Sequence, residues 1–143
     1  MASPDSPPPV TGVLETALYV DDVDRSRRFY QDLFGFEVMI ADERICALAV
    51  AGRDVLLLFK KGATREPVVF PGGVIPPSDG SGEMHFAFSI DASTLSAWDA
   101  RLREFNIAIE STVHWERGGV SLYFRDPDRH LVELVTPGCW AVY

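Results

Sequence analysis

Hydrophobic residues along the chain switch between a period of two and a period near 3.6, and these switches predict an order of strands and helices. The segment Val13–Val20 is rich in strand-forming residues and stops at a pair of aspartates. It is followed by Val23–Phe34, whose apolar side chains fall on one face of a helix. Asp22 is expected to cap the start of this helix, and Gly35 is expected to end it.

The same order of elements then appears a second time. Strands at Phe36–Ala41, Arg44–Ala51 and Val55–Lys60 complete the first unit, with a tight turn between the last two. The second unit is predicted to contain a strand, a helix and three more strands, at Glu83–Ile90, Ala92–Phe105, Ile107–Val113, Gly119–Arg125 and Leu131–Val135. Ser93 or Asp91 is expected to cap the second helix. The pattern therefore predicts an α+β fold made of two βαβββ modules.

The two units are joined by a segment of different composition. Lys61–Gly82 contains four prolines and five glycines in 22 residues, which predicts a connector or a mobile lid without regular structure. We expect a Pro-rich disordered tail over residues 1–11 and one domain over residues 12–138, followed by a short tail over 139–143. Within the domain the predicted modules are 12–60 and 82–138, with residues 61–81 as the linker.

An internal repeat relates the two modules. A shift of 70 residues aligns Glu15 with His85 and Asp21 with Asp91, at the two ends of the first strand of each module. A repeat of this kind implies a pseudo-two-fold arrangement. Each half is too small to bury its own sheet face, so we expect the two modules to share a concave face, which is the natural place for a site.

Charge and cysteine content exclude several function classes. The chain has 13 basic and 21 acidic residues, a net charge of −8, and its pI is about 4.7. An acidic chain does not favour nucleic acid or an anionic membrane surface as a partner. No apolar run is long enough to span a membrane, and the N-terminus does not resemble a signal peptide. Cys46 and Cys139 lie far apart in the sequence, which favours a reduced, cytoplasmic protein.

Three side chains stand out as candidates for metal chemistry. Glu15, His85 and Glu133 interrupt apolar strands, and the repeat and strand parity place all three on the shared concave face. A charged group at such a position is costly unless it is paired. Two carboxylates and one imidazole can hold a divalent cation and balance its charge. The alternative is that hydrogen bonds or a nearby arginine satisfy each residue separately.

The chain also resembles the vicinal oxygen chelate superfamily, which includes glyoxalase I, bleomycin resistance proteins, extradiol dioxygenases and fosfomycin resistance proteins. The resemblance is carried by three blocks, Leu14–Val38, Gly82–Ile90 and Ser121–Gly138. It implies a half-open mixed β-barrel with helices on the outside, often as a homodimer, with metal ligands on the first, fifth and eighth strands. The modules can pair within one chain or be exchanged between two chains.

The resemblance also implies roles for individual residues. His85 and Glu133 match the second and third ligand positions, and Glu15 stands where many members have histidine. Leu57 occupies the position of the fourth ligand of glyoxalase I, so lactoylglutathione lyase activity is not expected. The cofactor would be one divalent ion, Mn, Ni, Zn, Fe or Mg. His130 has the wrong strand parity to be a ligand.

The expected function is that of a metal-dependent enzyme acting on a small molecule that binds the ion through two oxygens. Glu15 and Tyr123 are the predicted catalytic residues, and Ser121, Tyr123 and Arg117 the predicted substrate-binding residues. The alternative is a metal-free protein that sequesters a small molecule or drug, of the bleomycin-resistance type.

Overall fold

The computed structural model describes residues 6–143. The first five residues of the predicted N-terminal tail lie outside the described part. The elements, in chain order, are β1 (Glu15–Val20), α1 (Val23–Phe34), β2 (Glu37–Ala41), β3 (Ile45–Val50), β4 (Asp54–Lys60), β5 (Val68–Phe70), β6 (Gly73–Ile75), β7 (His85–Ser89), a 3₁₀ turn (Ala92–Thr94), α2 (Leu95–Glu104), β8 (Ser111–His114), β9 (Val120–Arg125) and β10 (Leu131–Val135). Neither α-helix in residues 6–143 has the length and apolar character needed to cross a membrane.

The two modules have the same sheet topology. One four-stranded sheet has the order β1-β4-β3-β2, and the other has the order β7-β10-β9-β8. In both sheets the first strand of the module runs parallel to its last strand, with Glu15 opposite Val55 and His85 opposite Leu131. This confirms the predicted α+β fold of two βαβββ modules.

The ends of α1 follow the local sequence. The side chain of Asp22 accepts a hydrogen bond from the backbone N–H of Arg25 at 3.0 Å. Gly35 has a φ of 72°, and its N–H donates to the carbonyl of Gln31 at 2.8 Å. Both residues therefore have the capping roles that the sequence predicts.

The start of α2 differs from the prediction. A 3₁₀ turn precedes the helix, its N-cap Asp91 makes no side-chain capping bond, and Thr94 takes the N-cap position of α2. The Thr94 hydroxyl donates instead to the carbonyl of Asp91 at 2.7 Å. Asp91 therefore holds the N-cap position at the predicted start of the helical segment but does not cap it with its side chain, and Ser93 lies inside the 3₁₀ turn, whose i→i+3 bonds satisfy this end.

The segment between the modules is more ordered than its composition predicts. Val68–Phe70 and Gly73–Ile75 form an antiparallel hairpin, with Pro71 and Gly72 at its turn. Its base is held by Tyr19, whose hydroxyl bonds the hydroxyl of Ser78 at 2.9 Å. The prediction that the linker lacks regular structure is wrong because its Pro-Gly-Gly run supplies a turn between two short apolar strands.

Helix α1 lies between the two four-stranded sheets. It contacts β3 and β4 on one side, and on the other side its Phe34 ring lies 4.9 Å from the ring of Phe88 and 6.4 Å from that of Phe124, between ring centroids. The buried apolar residues of both sheets form one cluster, which includes Leu18, Val20, Leu48, Leu56, Leu58, Leu122, Phe124, Val132 and Leu134. Because side chains alternate along a strand, the opposite faces of both sheets point away from this core.

A buried hydrogen bond ties α1 to the turn between β9 and β10. The hydroxyl of Tyr30 donates to Oδ2 of Asp126 at 2.6 Å, and Oδ1 of Asp126 accepts the backbone N–H groups of Asp128 and His130. Burial raises the pKa of Asp126, and it raises the pKa of Tyr30 well above its ordinary value. This contact joins the first module to the second inside the core.

His130 belongs to the same junction. Its Nδ1 accepts the backbone N–H of Met84 at 2.9 Å, and its Nε2 donates to the carbonyl of Tyr19 at 2.8 Å. The two partners determine which ring nitrogen carries the proton. His130 is fully buried on the core side, which agrees with its predicted exclusion from the ligand set.

We expect the Tyr30→Phe variant to lose about 1–3 kcal/mol of unfolding free energy, because Asp126 Oδ2 would remain buried without its donor. Chemical denaturation followed by circular dichroism measures this loss. The control is Tyr143→Phe, which also removes a hydroxyl that donates to backbone carbonyls, but in an exposed position. Equal losses in the two variants would contradict the assigned role of the buried bond.

Candidate metal centre

The outer face of the second sheet carries two of the predicted ligands side by side. Glu133 lies in the middle of β10, between Ala87 of β7 and Tyr123 of β9. His85 begins β7, and its Nε2 is 3.3 Å from Oε1 of Glu133. The Glu133 side chain is only 8% exposed, whereas that of His85 is 50% exposed. The pair therefore has a buried acid and an accessible imidazole.

Hydrogen bonding determines which atoms of the pair face each other. Nδ1 of His85 lies 3.0 Å from the backbone carbonyl of Leu131. A carbonyl oxygen only accepts, so Nδ1 of His85 carries a proton and Nε2 is the ring nitrogen that faces Glu133. An imidazole nitrogen and a carboxylate oxygen are donor types that bind divalent metal ions. The donor set thus fits a divalent cation.

The other carboxylate oxygen of Glu133 is held by a chain of two hydrogen bonds. The hydroxyl of Ser121 donates to Oε2 of Glu133 at 2.5 Å, and Nε1 of Trp115 donates to the Ser121 hydroxyl oxygen at 2.8 Å. An indole N–H can only donate, so both hydrogen bonds are directed toward the carboxylate of Glu133. Partners of this kind orient the ligands of protein metal sites.

Tyr123 completes this cluster. It lies directly opposite Glu133 in the ladder, and its ring centroid is 6.2 Å from that of His85. Burial raises the pKa of the Tyr123 phenol, and the negative charge of Glu133 raises it further. The phenol is thus a hydrogen-bond donor at neutral pH beside the two predicted ligands.

The other predicted site residues lie elsewhere. Glu15 is exposed at the start of β1, on the outer face of the other sheet, and Arg117 is exposed in the turn between β8 and β9. Among residues 6–143 of one chain, the structure contains no group of three or more His, Cys, Asp or Glu side chains placed to hold a metal ion. One chain brings together His85 and Glu133 but not Glu15, because α1 lies between the two sheets.

Sequence reasoning missed three residues of this face. Trp115 lies just beyond β8, and strand parity therefore gives no signal for its bond to Ser121. Arg125 has the same parity as Ser121 and Tyr123 in β9, so strand alternation alone could have placed it on this face. Its partner Glu110 precedes β8 and is brought to it only by the folded sheet.

Comparison with known proteins agrees with the fold described above. Residues 12–134 match the family described as the Glyoxalase/Bleomycin resistance protein/Dioxygenase superfamily. The chain is 28% identical over 129 residues to the metallothiol transferase FosB of Shouchella clausii, a match that covers 89% of this chain and 81% of that protein. It is 30% identical over 118 residues to catechol-2,3-dioxygenase of Bacillus subtilis, covering 82% of this chain but 38% of that protein.

The fold is also that of a solved structure. Lactoylglutathione lyase from Agrobacterium tumefaciens superposes with a TM-score of 0.85 and 31% sequence identity, over 94% of this chain and 99% of that chain. The match to the family model covers most of the domain, from before β1 into β10. The chain therefore belongs to the glyoxalase, bleomycin resistance protein and dioxygenase superfamily.

Proposed function

We propose that this protein is a divalent-metal-dependent enzyme whose small-molecule substrate binds the ion through two oxygens. The observation that carries the proposal is the approach of His85 Nε2 to Glu133 Oε1 at 3.3 Å, while Nδ1 of His85 is directed at the backbone carbonyl of Leu131. These two side chains would hold the ion. The ion, Mn, Ni, Zn, Fe or Mg, supplies Lewis acidity that stabilises negative charge on substrate oxygen.

The relatives support a metal enzyme but name different reactions. A metallothiol transferase, a dioxygenase and a lyase are among the similar proteins. We therefore propose the chemistry that the site itself supports, the stabilisation of an anion on a two-oxygen substrate. Leu57 lies on the same face of its sheet as Ala17, its ladder partner, and offers no further ligand there.

A second copy of the chain would complete the ligand set. The outer face of the first sheet carries Glu15, and the outer face of the second sheet carries His85 and Glu133, so each chain offers two half-sites. A homodimer that places these faces together forms two complete sites. Two carboxylates then balance the two charges of the ion.

The remaining residues have supporting roles in this proposal. Tyr123 donates a hydrogen bond to a substrate oxygen, and Arg117 contacts a substrate from the β8–β9 turn. Ser121 is fully buried and bonds Glu133, so it affects substrate binding only by orienting that carboxylate. Glu15 either ligates the ion or accepts a proton from the substrate. Both cysteines are free thiols, which supports the proposed cytoplasmic location.

We expect His85→Ala and Glu133→Gln to reduce Mn²⁺ affinity by at least about 100-fold, because each removes a direct ligand. Isothermal titration calorimetry on chelator-stripped protein measures the affinity. His114→Ala is the matched control, because His114 is exposed on the same sheet but outside the cluster. Wild-type protein that binds no divalent metal, yet retains an apolar ligand in stoichiometric amount, would favour the metal-free sequestering function.

A mixing experiment tests whether Glu15 comes from a second copy. Glu15→Ala and His85→Ala variants should each lose bound metal, and refolding them together should restore about a quarter of the wild-type metal content. Only mixed dimers contain one intact site, with Glu15 from one chain and His85 from the other. Metal analysis after gel filtration measures the recovery, and no recovery would show that Glu15 does not act across chains.

The Trp115→Phe variant should lower Mn²⁺ affinity about ten-fold while leaving the fold intact, because Ser121 loses the donor that orients it toward Glu133. Ser121→Ala removes the bond to Glu133 itself and should have the larger effect. Calorimetric titration and thermal unfolding of the metal-free protein separate affinity from stability. An unchanged affinity in both variants would show that the chain of hydrogen bonds does not position the ligand.

A further inference from the structure

A small cavity adjoins the candidate metal centre on the outer face of the second sheet. Its volume is about 250 Å³, and it is lined by Glu110, Ser111, Tyr123, Arg125 and Leu131. It is part of neither the buried core nor the ligand pair. The cavity is open to solvent.

The sheet register places this cavity next to the ligands. Leu131 is opposite His85 on one side and opposite Arg125 on the other. Tyr123 is opposite Glu133 and also lines the cavity. Leu131 and the ring of Tyr123 therefore lie beside the place where a molecule anchored at His85 and Glu133 would bind.

An ion pair forms the polar edge of the cavity. Nε and Nη2 of Arg125 donate to the two carboxylate oxygens of Glu110 at 2.8 and 3.2 Å. Its Nη1 donates to the carbonyl of Arg129 at 3.1 Å and lies 3.6 Å from Glu83. All three guanidinium nitrogens are thus engaged, and the fork that would bind a substrate carboxylate is already occupied.

We propose that this cavity is a subsite for an uncharged, apolar substituent of the substrate, and that the Glu110–Arg125 pair sets this preference. The proposal rests on the proposed function, because it assumes that the substrate is anchored at His85 and Glu133. Leu131 and Tyr123 supply an apolar floor for the substituent. An anionic substituent would instead meet the half-exposed carboxylate of Glu110 with no free guanidinium to pair with.

Hydroxamates test the subsite because each chelates a metal ion through two oxygens. On Mn²⁺-loaded protein, benzohydroxamate should bind about ten-fold more tightly than acetohydroxamate, since its ring is buried in the cavity. 4-Carboxybenzohydroxamate should bind about ten-fold more weakly than benzohydroxamate. Calorimetry measures these affinities, each referred to the affinity of the same hydroxamate for free Mn²⁺.

The Glu110→Gln variant tests the ion pair itself. It frees the guanidinium of Arg125, so the carboxylated hydroxamate should gain about ten-fold in affinity relative to benzohydroxamate. Glu104→Gln is the control, because it removes the same charge from the end of α2, away from this face. Methyl NMR of Leu131 gives a second readout, since benzohydroxamate should shift this signal through its ring current and acetohydroxamate should not.

The outcomes separate the two proposals. If acetohydroxamate binds the Mn²⁺-loaded protein but benzohydroxamate binds no more tightly and leaves Leu131 unshifted, the subsite is overturned and the metal centre stands. If the preference between neutral and carboxylated compounds is the same in Glu110→Gln as in wild type, the ion pair does not set specificity. If the protein binds none of Mn²⁺, Ni²⁺, Zn²⁺, Fe²⁺ and Mg²⁺, the proposed function and the subsite both fail.

Discussion

Packing of α1 against both sheets is the constraint on which the rest of the structure depends. Phe34 contacts Phe88 and Phe124 of the second sheet while the same helix contacts β3 and β4 of the first. The inner faces of both sheets therefore pack into one shared core. Every polar side chain of opposite parity must then lie on an outer face, and this is where Glu15, His85 and Glu133 are found.

The outer face of the second sheet shows how a buried acid is tolerated. Glu133 is nearly inaccessible, yet its oxygens face an imidazole on one side and a donor chain on the other. Desolvation of such a group is costly unless donors or a cation offset it. Ser121 bonds only Oε2 of Glu133, and Trp115 in turn bonds Ser121, so Oε1 is the oxygen that faces Nε2 of His85. The need to offset desolvation explains why one sheet face holds both Glu133 and the side chains that surround it.

Strand parity predicted on which face of its strand each site residue lies, because alternation is a property of a single strand. It placed Glu133 and Tyr123 on one face and His130 on the other, as the structure does. Strand parity did not predict that the sheet faces carrying Glu15 and Glu133 point in different directions within one chain. That outcome depends on which face of each sheet α1 covers, and alternation within one strand does not specify this.

By itself, the sequence determined the two βαβββ modules, the caps of α1 and the approach of His85 to Glu133, because these follow from local periodicity and from an internal repeat. Tertiary structure alone decided three other features. It separated Glu15 from the other two residues, ordered the Val68–Ile75 hairpin on Tyr19, and joined Arg125 to Glu110. Each of these depends on contacts between segments distant in sequence, whose geometry is set by packing rather than by the local alternation of polar and apolar residues.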